Sequence, residues 1–452
     1  MRRVALLVAA MGVVALVGPA RPASRISPAP PSLTAASNNL LLARSAPRFV
    51  LALVARDGVH SRLTRLDPLS LRPRAGPRVW LGLYDLPWSF SPDRSRLALG
   101  SGRTSGVIFV DVKRMRSLGI VRIGGLSALS WLAPRRVALL TGGQAGSALV
   151  IVDPVTRRIV TRTPLTAQLA DGTLAAAQTV GDRLIVLAQP ADTIGPTRLV
   201  VADASGSVRS VELSQVPGGW VPPQEGASRP IVRFRTPALA VDPAGSKAIA
   251  FSATSPVAEV DLATLAVRYH APSEQVALLG RLHDWLEPPA AADGGLGEGS
   301  ERRAVWLRGT LVAITGRDQT IVTNSQGQPD QAEAPAGLKL LDTSSWTLRT
   351  VSTKASSFTY THGLLIASEG SSDPESAGLV AYGPDGTRRF RLPQRPYGFQ
   401  TAGRYGYLGA AGEYRRHRVA VVDLDTGRIV RRPAVPGWTY ILDPAQRQSC
   451  WC

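Results

Sequence analysis

Cysteine is almost missing from this chain of 452 residues. The two cysteines, Cys450 and Cys452, flank Trp451 at the end of the sequence. Two cysteines cannot build a disulfide framework or a four-ligand zinc site, and a disulfide across one intervening residue would be strained. Two interpretations therefore stay open for this pair: a bond to another chain, or two thiols in the last strand.

Lysine is also scarce, because only four of the 52 basic residues are lysines and the rest are arginines. The formal net charge is +19. A basic chain can bind nucleic acid or an anionic surface, but these arginines are spread along the whole sequence. We therefore expect no nucleic-acid partner. An anionic wall polymer, a lipid headgroup or simply a solvated surface is the better interpretation of the charge.

Motifs of the common enzyme classes are absent. The five histidines form no H-x-x-x-H or H-E-x-x-H pair, and no G-x-S-x-G sequence occurs. The glycine-rich stretch at residues 100–106 joins two predicted strands, so it cannot present the N-terminus of a helix to a phosphate. The sequence therefore predicts no metal and no cofactor.

The chain begins with a short basic and apolar segment. Two arginines precede an uncharged, mostly apolar stretch at residues 4–18, which is shorter than the roughly 20 apolar residues of a membrane-spanning helix. This pattern predicts a cleaved signal peptide over residues 1–23 and an exported protein, extracellular, periplasmic or associated with the cell wall. An uncleaved anchor is the alternative, and only then do we expect membrane contact. A linker rich in Pro, Ala and Ser follows at residues 24–47.

One short pattern recurs along the rest of the chain: four strand-forming residues, then Asp, then Ser, Thr or Gly three positions later. The apolar run is typical of a strand. The Asp carboxylate can accept hydrogen bonds from the backbone N–H groups just ahead of it, so each copy predicts a β-hairpin. The Asp position is held by Asp67, Asp111, Asp153, Asp203, Asp261, Asp342 and Asp423, and by Gly383 in one weaker copy; in the copy at Asp111, Arg114 stands at the Ser, Thr or Gly position.

The repeat length points to a propeller. Most intervals between copies are close to the 40–45 residues of a four-stranded blade, and a strand–turn–strand element precedes the hairpins. Residues 48–452 therefore predict an all-β propeller of four-stranded antiparallel blades, eight in number, or seven if the copy at Gly383 is misread. Two insertions, residues 287–301 and 323–337, account for the longest interval and are expected to be loops.

The two ends of this region complement each other. Residues 49–74 contain strands but no preceding strand–turn–strand element, whereas residues 438–452 contain an inner strand with no hairpin after it. We predict that the strand around residues 440–442 pairs with the strand around residues 49–54. One blade would then be shared between N- and C-terminal strands, which removes an open sheet edge.

Three stretches each match a different part of a known repeat: Ser91-Pro92-Asp93, the sequence VRIGG at residues 121–125, and DLDTGRI at residues 423–429. They resemble the "SPDG", "IPVG" and Thr-Gly turn elements of bacterial YVTN and WD40-like propellers. The resemblance covers about residues 49–452 and implies the propeller fold. The Trp-Asp pair of WD40 repeats is absent, and so are the Trp docking motifs of quinoprotein dehydrogenases, so the resemblance implies no quinone cofactor.

Aromatic, Arg and His residues gather where the last strand of one predicted blade passes to the first strand of the next, for example at Trp220 and Phe234. In propellers these crossings usually face the mouth of the central channel, where aromatic rings can stack on a ligand and Arg can hold an anion. The alternative is that the rings wedge between blades as core. The candidate ligand-binding residues are Trp88, Arg235, His283, Trp285, Tyr360, Tyr397 and Trp438.

The missing catalytic motifs favour a secreted, non-enzymatic binding module. Its expected partner at the channel mouth is a protein, a glycan or a cell-wall polymer. The alternative is an enzyme, such as a lyase or hydrolase, whose site is dispersed over several blades, because no local motif would reveal such a site.

Overall fold

A computed structural model gives the structure of the chain, and every structural statement below refers to the residues that it describes. These are residues 47–55, 61–81, 87–101, 105–142, 147–165, 172–221, 233–253, 255–274, 299–323, 329–369, 378–392, 399–409, 417–435 and 437–443. The predicted signal peptide lies outside them. The described residues form 37 β-strands and no helix, and hence include no helix able to cross a membrane.

The strands are numbered in chain order. The first are β1 (Val50–Ala55), β2 (Ser61–Leu66), β3 (Val79–Leu81), β4 (Trp88–Phe90), β5 (Arg96–Ser101), β6 (Gly106–Asp111), β7 (Arg116–Arg122), β8 (Leu126–Ala133), β9 (Arg136–Thr141), β10 (Ala148–Asp153), β11 (Arg158–Pro164) and β12 (Thr173–Val180). Next are β13 (Arg183–Gln189), β14 (Ile194–Asp203), β15 (Val208–Val221), β16 (Arg233–Thr236), β17 (Ala238–Val241), β18 (Lys247–Phe251), β19 (Val257–Asp261), β20 (Val267–His270), β21 (Ser273–Glu274), β22 (Gly299–Arg308), β23 (Leu311–Thr323) and β24 (Pro329–Pro335). The last are β25 (Leu338–Asp342), β26 (Thr347–Ser352), β27 (Ala355–Thr361), β28 (Leu364–Glu369), β29 (Gly378–Tyr382), β30 (Arg388–Leu392), β31 (Gln400–Ala402), β32 (Tyr405–Leu408), β33 (His417–Arg418), β34 (Ala420–Asp423), β35 (Arg428–Arg431), β36 (Ala434–Val435) and β37 (Trp438–Leu442).

Most of these strands form four-stranded antiparallel sheets, which are the blades of a β-propeller. Six such sheets stand alone in the described chain, so the prediction of eight separate blades is corrected. The sheets are β4–β7, β8–β11, β17–β20, β27–β30, the set β31, β32, β34 and β35, and the set β37, β1, β2 and β3.

The remaining long strands belong to one sheet of eleven strands. It contains two four-stranded antiparallel runs, β12–β15 and β22, β23, β25, β26. They are joined because β16 pairs antiparallel with β15 and parallel with β22. This extra strand is the physical reason for the smaller number of separate blades: it fuses two repeats that the sequence pattern treats as independent.

The predicted pairing between the two ends of the strand region is present. Strand β37 lies antiparallel to β1, with Leu51 opposite Leu442 and Leu53 opposite Tyr440. The first blade therefore takes its innermost strand from near residue 440. Ile441 and Leu442 are 1% and 0% exposed, so this strand is part of the packed interior.

Buried apolar side chains form clusters between neighbouring sheets. Phe109 of β6 and Trp131 of β8 meet edge to face, with ring centroids 6.3 Å apart, inside a cluster shared by sheets β4–β7 and β8–β11. Fully burying one such aliphatic or aromatic side chain stabilises a fold by about 1.5–3 kcal/mol. Neighbouring blades are thus held together by the apolar side chains between them, as in other repeat architectures.

The repeated Asp residues have the structural role that their pattern predicts. Asp111 accepts a hydrogen bond from the backbone N–H of Arg114 at 2.8 Å, and Asp153 accepts one from Val155 at 2.8 Å. Asp423 likewise accepts bonds from two N–H groups of its own turn. The prediction that these carboxylates bind their own turns is confirmed.

The two insertions are not irregular throughout. Strand β22 begins at residue 299, inside the first insertion, and β24 (Pro329–Pro335) lies within the second. Because β23 is 13 residues long, it extends beyond its pairing with β25, and β24 covers the extended edge through seven residue pairs. An unpaired strand edge is unfavourable, which explains why a sequence rich in polar residues forms a strand here. Residues 287–298 and 324–328 lie outside the described chain.

Candidate functional site

The two edges of each blade differ in construction. In a four-stranded antiparallel blade, the turn between the first and second strands and the Asp turn between the third and fourth strands lie at one edge, which we call the turn face. The passage to the next blade lies at the opposite edge, which we call the crossing face. At the turn face the polar groups satisfy one another locally, as at Ser91, whose hydroxyl donates to Asp93 at 2.6 Å.

The crossing face carries strands that no single blade requires. The segment that joins the two halves of the eleven-stranded sheet consists of residues 217–221 of β15, strand β16, and residues 299–301 of β22, and we call it the bridge. Gly219 has a φ of +116°, and a Cβ there would lie 2.1 Å from the carbonyl oxygen of Thr193. Only glycine fits this position, so the backbone of the bridge packs closely on the preceding loop.

The bridge presents two aromatic rings on one of its sides. Trp220 of β15 and Phe234 of β16 are directly opposite in the antiparallel register, so their side chains lie on the same side of the sheet. Phe234 is 43% exposed, and Trp220 is partly exposed. The sequence places both residues at a crossing but gives no sign that they are paired, because the pairing depends on β16 folding back onto β15.

The other side of β16 is buried. Arg233 and Arg235, which flank Phe234 in the sequence, are 5% and 3% exposed, because successive side chains of a strand point to opposite sides. Both arginines interact with other groups of the protein. Arg235, one of the candidate ligand-binding residues, therefore lies at the predicted crossing, but its side chain points into the protein and anchors the bridge.

Ion pairs stabilise the strands next to the bridge. The guanidinium of Arg302 lies 2.6 Å from Asp318, that of Arg303 lies 2.5 Å from Glu301, and Arg317 pairs with Glu333 at 3.1 Å. All six groups are at least partly shielded from solvent. Partly buried pairs that share hydrogen bonds hold a defined geometry better than exposed pairs do. The bridge is therefore attached to a rigid pair of strands.

The other described candidate residues pack against two hydrophobic clusters. Trp88 is 2% exposed and packs edge to face on Phe90, so it is a core residue. Trp438 stacks on Tyr440 with ring centroids 5.6 Å apart, against the same cluster. Tyr360 packs against a different cluster, and burial raises the pKa of its phenol. His283, Trp285 and Tyr397 lie outside the described residues.

Other clusters of polar groups lie at contacts between blades. His270 stacks on Trp346 with ring centroids 3.6 Å apart and hydrogen-bonds Glu259 at 2.9 Å. Lys247 binds the second oxygen of the same carboxylate. In the described part of the chain, no group of three or more His, Cys, Asp or Glu residues could hold a metal ion.

Comparison with solved structures supports the fold. The chain is similar to a dihydro-heme d1 dehydrogenase, NirN, solved in complex with DHE, with a TM-score of 0.54 and 15% identity over 88% of this chain and 76% of that one. It is also similar to apo AztD from Citrobacter koseri, with a TM-score of 0.51 and 10% identity over 87% of this chain and 98% of that one. No family model matches the sequence, and no curated protein matches it significantly.

These likenesses show a shared β-propeller fold and nothing finer. At 10–15% identity, the residues of one site are not carried over to another chain. The resemblance to YVTN and WD40-like repeats stays a prediction at the level of the family.

Proposed function

We propose that this chain is an exported binding protein that recognises a glycan or another cell-wall polymer on its crossing face. The observation that carries the proposal is the bridge, where strand β16 and the extended β15, β22 and β23 add structure to one face only. Segments of this kind, set on a rigid scaffold, commonly hold binding sites. The predicted signal peptide supports the location outside the cytoplasm.

The turn face is less suited to binding a ligand than the crossing face. Its carboxylates already accept hydrogen bonds from their own turns, as Asp203 does from the backbone N–H and the hydroxyl of Ser205 at 2.8 and 2.5 Å. A ligand there would have to replace bonds that are already made, whereas Trp220 and Phe234 on the crossing face expose apolar area to water. The difference between the two faces favours the crossing face as the binding surface.

We infer in addition that the blades close into a ring. Two contacts support closure: the blade that contains β37 and β1 packs on β4–β7 through a cluster that includes Leu442 and Phe90, and on the β31–β35 blade through one that includes Tyr407 and Ile441. Hydrogen bonds also link innermost strands, as between Thr401 and Asp443 at 2.8 Å. A ring would hold the crossings of all blades around one opening.

An enzyme with a dispersed site is the second class of function. NirN is named as a dehydrogenase, whereas the name of AztD states no reaction, so the shared fold favours neither class. The two classes differ in one observable, the release of soluble product from the polymer. A binding protein leaves the polymer intact, whereas a lyase or hydrolase shortens it.

A co-sedimentation assay with insoluble peptidoglycan and with purified wall polysaccharide tests the proposal. One variant shortens the β23–β24 hairpin by joining Gln319 to Glu333, which are directly opposite, through an Asn-Gly turn. We expect the unaltered protein to bind one of the two fractions and this variant to bind it about tenfold more weakly.

The matched control changes the turn face, as Lys113→Ala with Arg114→Ala, where the side chain of Arg114 is 73% exposed. It should bind like the unaltered protein. The proposal is wrong if the unaltered chain binds neither fraction, or if the turn-face variant loses binding while the shortened hairpin keeps it. Release of soluble fragments would select the enzymatic class.

A further inference from the structure

We propose that Trp220 and Phe234 form a stacking platform for a sugar ring. The inference rests on the proposed function of the crossing face and goes further by naming the ligand class, a carbohydrate, and the two side chains that contact it. Trp220 and Phe234 are directly opposite each other because β15 and β16 pair in register at this position. Residues that are opposite in an antiparallel pair have Cβ atoms about 4.5–5.5 Å apart, so the two side chains leave neighbouring points on the same side of the sheet and can contact one ligand.

The position of Phe234 is unusual among the exposed apolar residues of the described chain. The other large hydrophobic side chains with high exposure are Trp80, Val155, Ile159, Val160 and Val430. These lie in outermost strands or in an Asp turn. Phe234 instead lies at a crossing. An exposed ring on an outer strand is common in soluble proteins, whereas Phe234 lies at a crossing and directly opposite a second aromatic residue.

The platform is held rigidly from behind. Strand β16 is only four residues long, yet it is hydrogen-bonded on both edges, to β15 and to β22. Its inward side chains, Arg233 and Arg235, are buried and interact with other groups of the protein. A binding site loses less free energy on ligand binding when its side chains are already fixed. The buried arginines are therefore positioning residues for the platform.

The size of the apolar surface fits a sugar better than a protein. A stable protein–protein interface buries about 800 Å² on each partner, whereas one aromatic side chain buries about 150–250 Å² when fully covered. Two partly exposed rings offer less than half of the area that a stable interface with a protein partner buries. A pyranose presents one small face of C–H groups, which two rings can cover, and its hydroxyl groups stay in water.

Isothermal titration calorimetry with defined oligosaccharides tests the platform. The probes are neutral chains (cello- and manno-oligosaccharides) and amino-sugar chains (chito-oligosaccharides). We expect Trp220→Ala and Phe234→Ala each to weaken binding about tenfold, and Trp220→Tyr, which keeps a ring, to restore most of it. Thermal unfolding of each variant shows whether the fold is kept, and Trp220→Tyr keeps the test valid if either alanine variant fails to fold.

Trp80→Ala is the matched control, since Trp80 is the most exposed of these rings at 69% and lies on the outer strand β3. It should bind as the unaltered protein does. The platform proposal is wrong if the folded Trp220→Ala and Phe234→Ala variants bind the oligosaccharide as tightly as the unaltered chain does. If the shortened β23–β24 hairpin nevertheless loses wall binding, the proposed function of the crossing face stands without the platform. If the unaltered chain binds no oligosaccharide and no wall fraction, both fail together.

Discussion

An Asp carboxylate recurs at the same place in the hairpins of this protein, and its hydrogen bonds to backbone N–H groups stabilise the turn. Asp67 accepts bonds from the backbone N–H groups of Leu69 and Ser70 at 3.1 and 2.8 Å. Asp261 does the same with Ala263 and Thr264. This role could be predicted from sequence because it depends only on residues two or three positions ahead. The inward side chain of Arg235 could not, because its burial depends on β16, which has no counterpart in the repeat.

The turn carboxylates predict a loss of stability in acid. The hydrogen bond from the backbone N–H of Ser70 is the main reason why the pKa of Asp67 is lowered from 3.8 to about 2. The backbone N–H of Arg114 lowers the pKa of Asp111 in the same way. Such a group stabilises the fold fully above its unfolded pKa. Its contribution is therefore lost as the pH falls from about 4 to about 2.

Thermal unfolding between pH 2 and 6 measures this effect. We expect the unfolding temperature to fall below about pH 4, and Asp67→Asn, which cannot ionise, to show a shallower fall. Glu212→Gln is the control, because Glu212 is exposed and paired only on the surface with Arg198; it should follow the profile of the unaltered protein. An Asp67→Asn variant with an unchanged profile would contradict this role of the turn.

At the scale of strands, the sequence repeat predicts the blades but not the bridge strand that is added to them. The pairing of β37 with β1 could be predicted because the two ends lack complementary parts of the same repeat. The bridge could not, because β16 pairs with strands of two different repeats, and one of those pairings is parallel. Local sequence specifies turns and strand periodicity, but a pairing across repeats is fixed only by three-dimensional packing.

Removing β37 should destabilise the protein as a whole. Deletion of residues 438–452 exposes the edge of β1 and removes the buried side chains of Ile441 and Leu442. Loss of one buried side chain of this size lowers the free energy of unfolding by about 2–5 kcal/mol. We expect the unfolding temperature to fall by at least about 5 °C. A deletion of residues 444–452 alone leaves β37 in register and should cost far less. Equal effects of the two deletions would contradict the structural role of β37.

At the scale of the whole molecule, the blades are similar at one face and elaborated at the other. The turn face repeats the same local hydrogen bonds, whereas the crossing face carries the bridge, the β23–β24 hairpin and the exposed ring of Phe234. The sequence predicts this face as the binding surface. It also indicates Trp88 as a contact residue, but Trp88 is buried, because a large aromatic ring in an innermost strand fills the space between blades.

Hydrogen exchange with and without the wall fraction that co-sediments with the protein tests the proposed binding face most directly. This measurement follows backbone N–H groups over both faces at once and requires no substitution. We predict slower exchange on binding at residues 218–221, 233–236 and 299–301, with no change at the turns that begin at Asp111, Asp153 and Asp423. Slower exchange at those turns, with none in the bridge, would contradict the claim that this propeller binds its ligand on the crossing face.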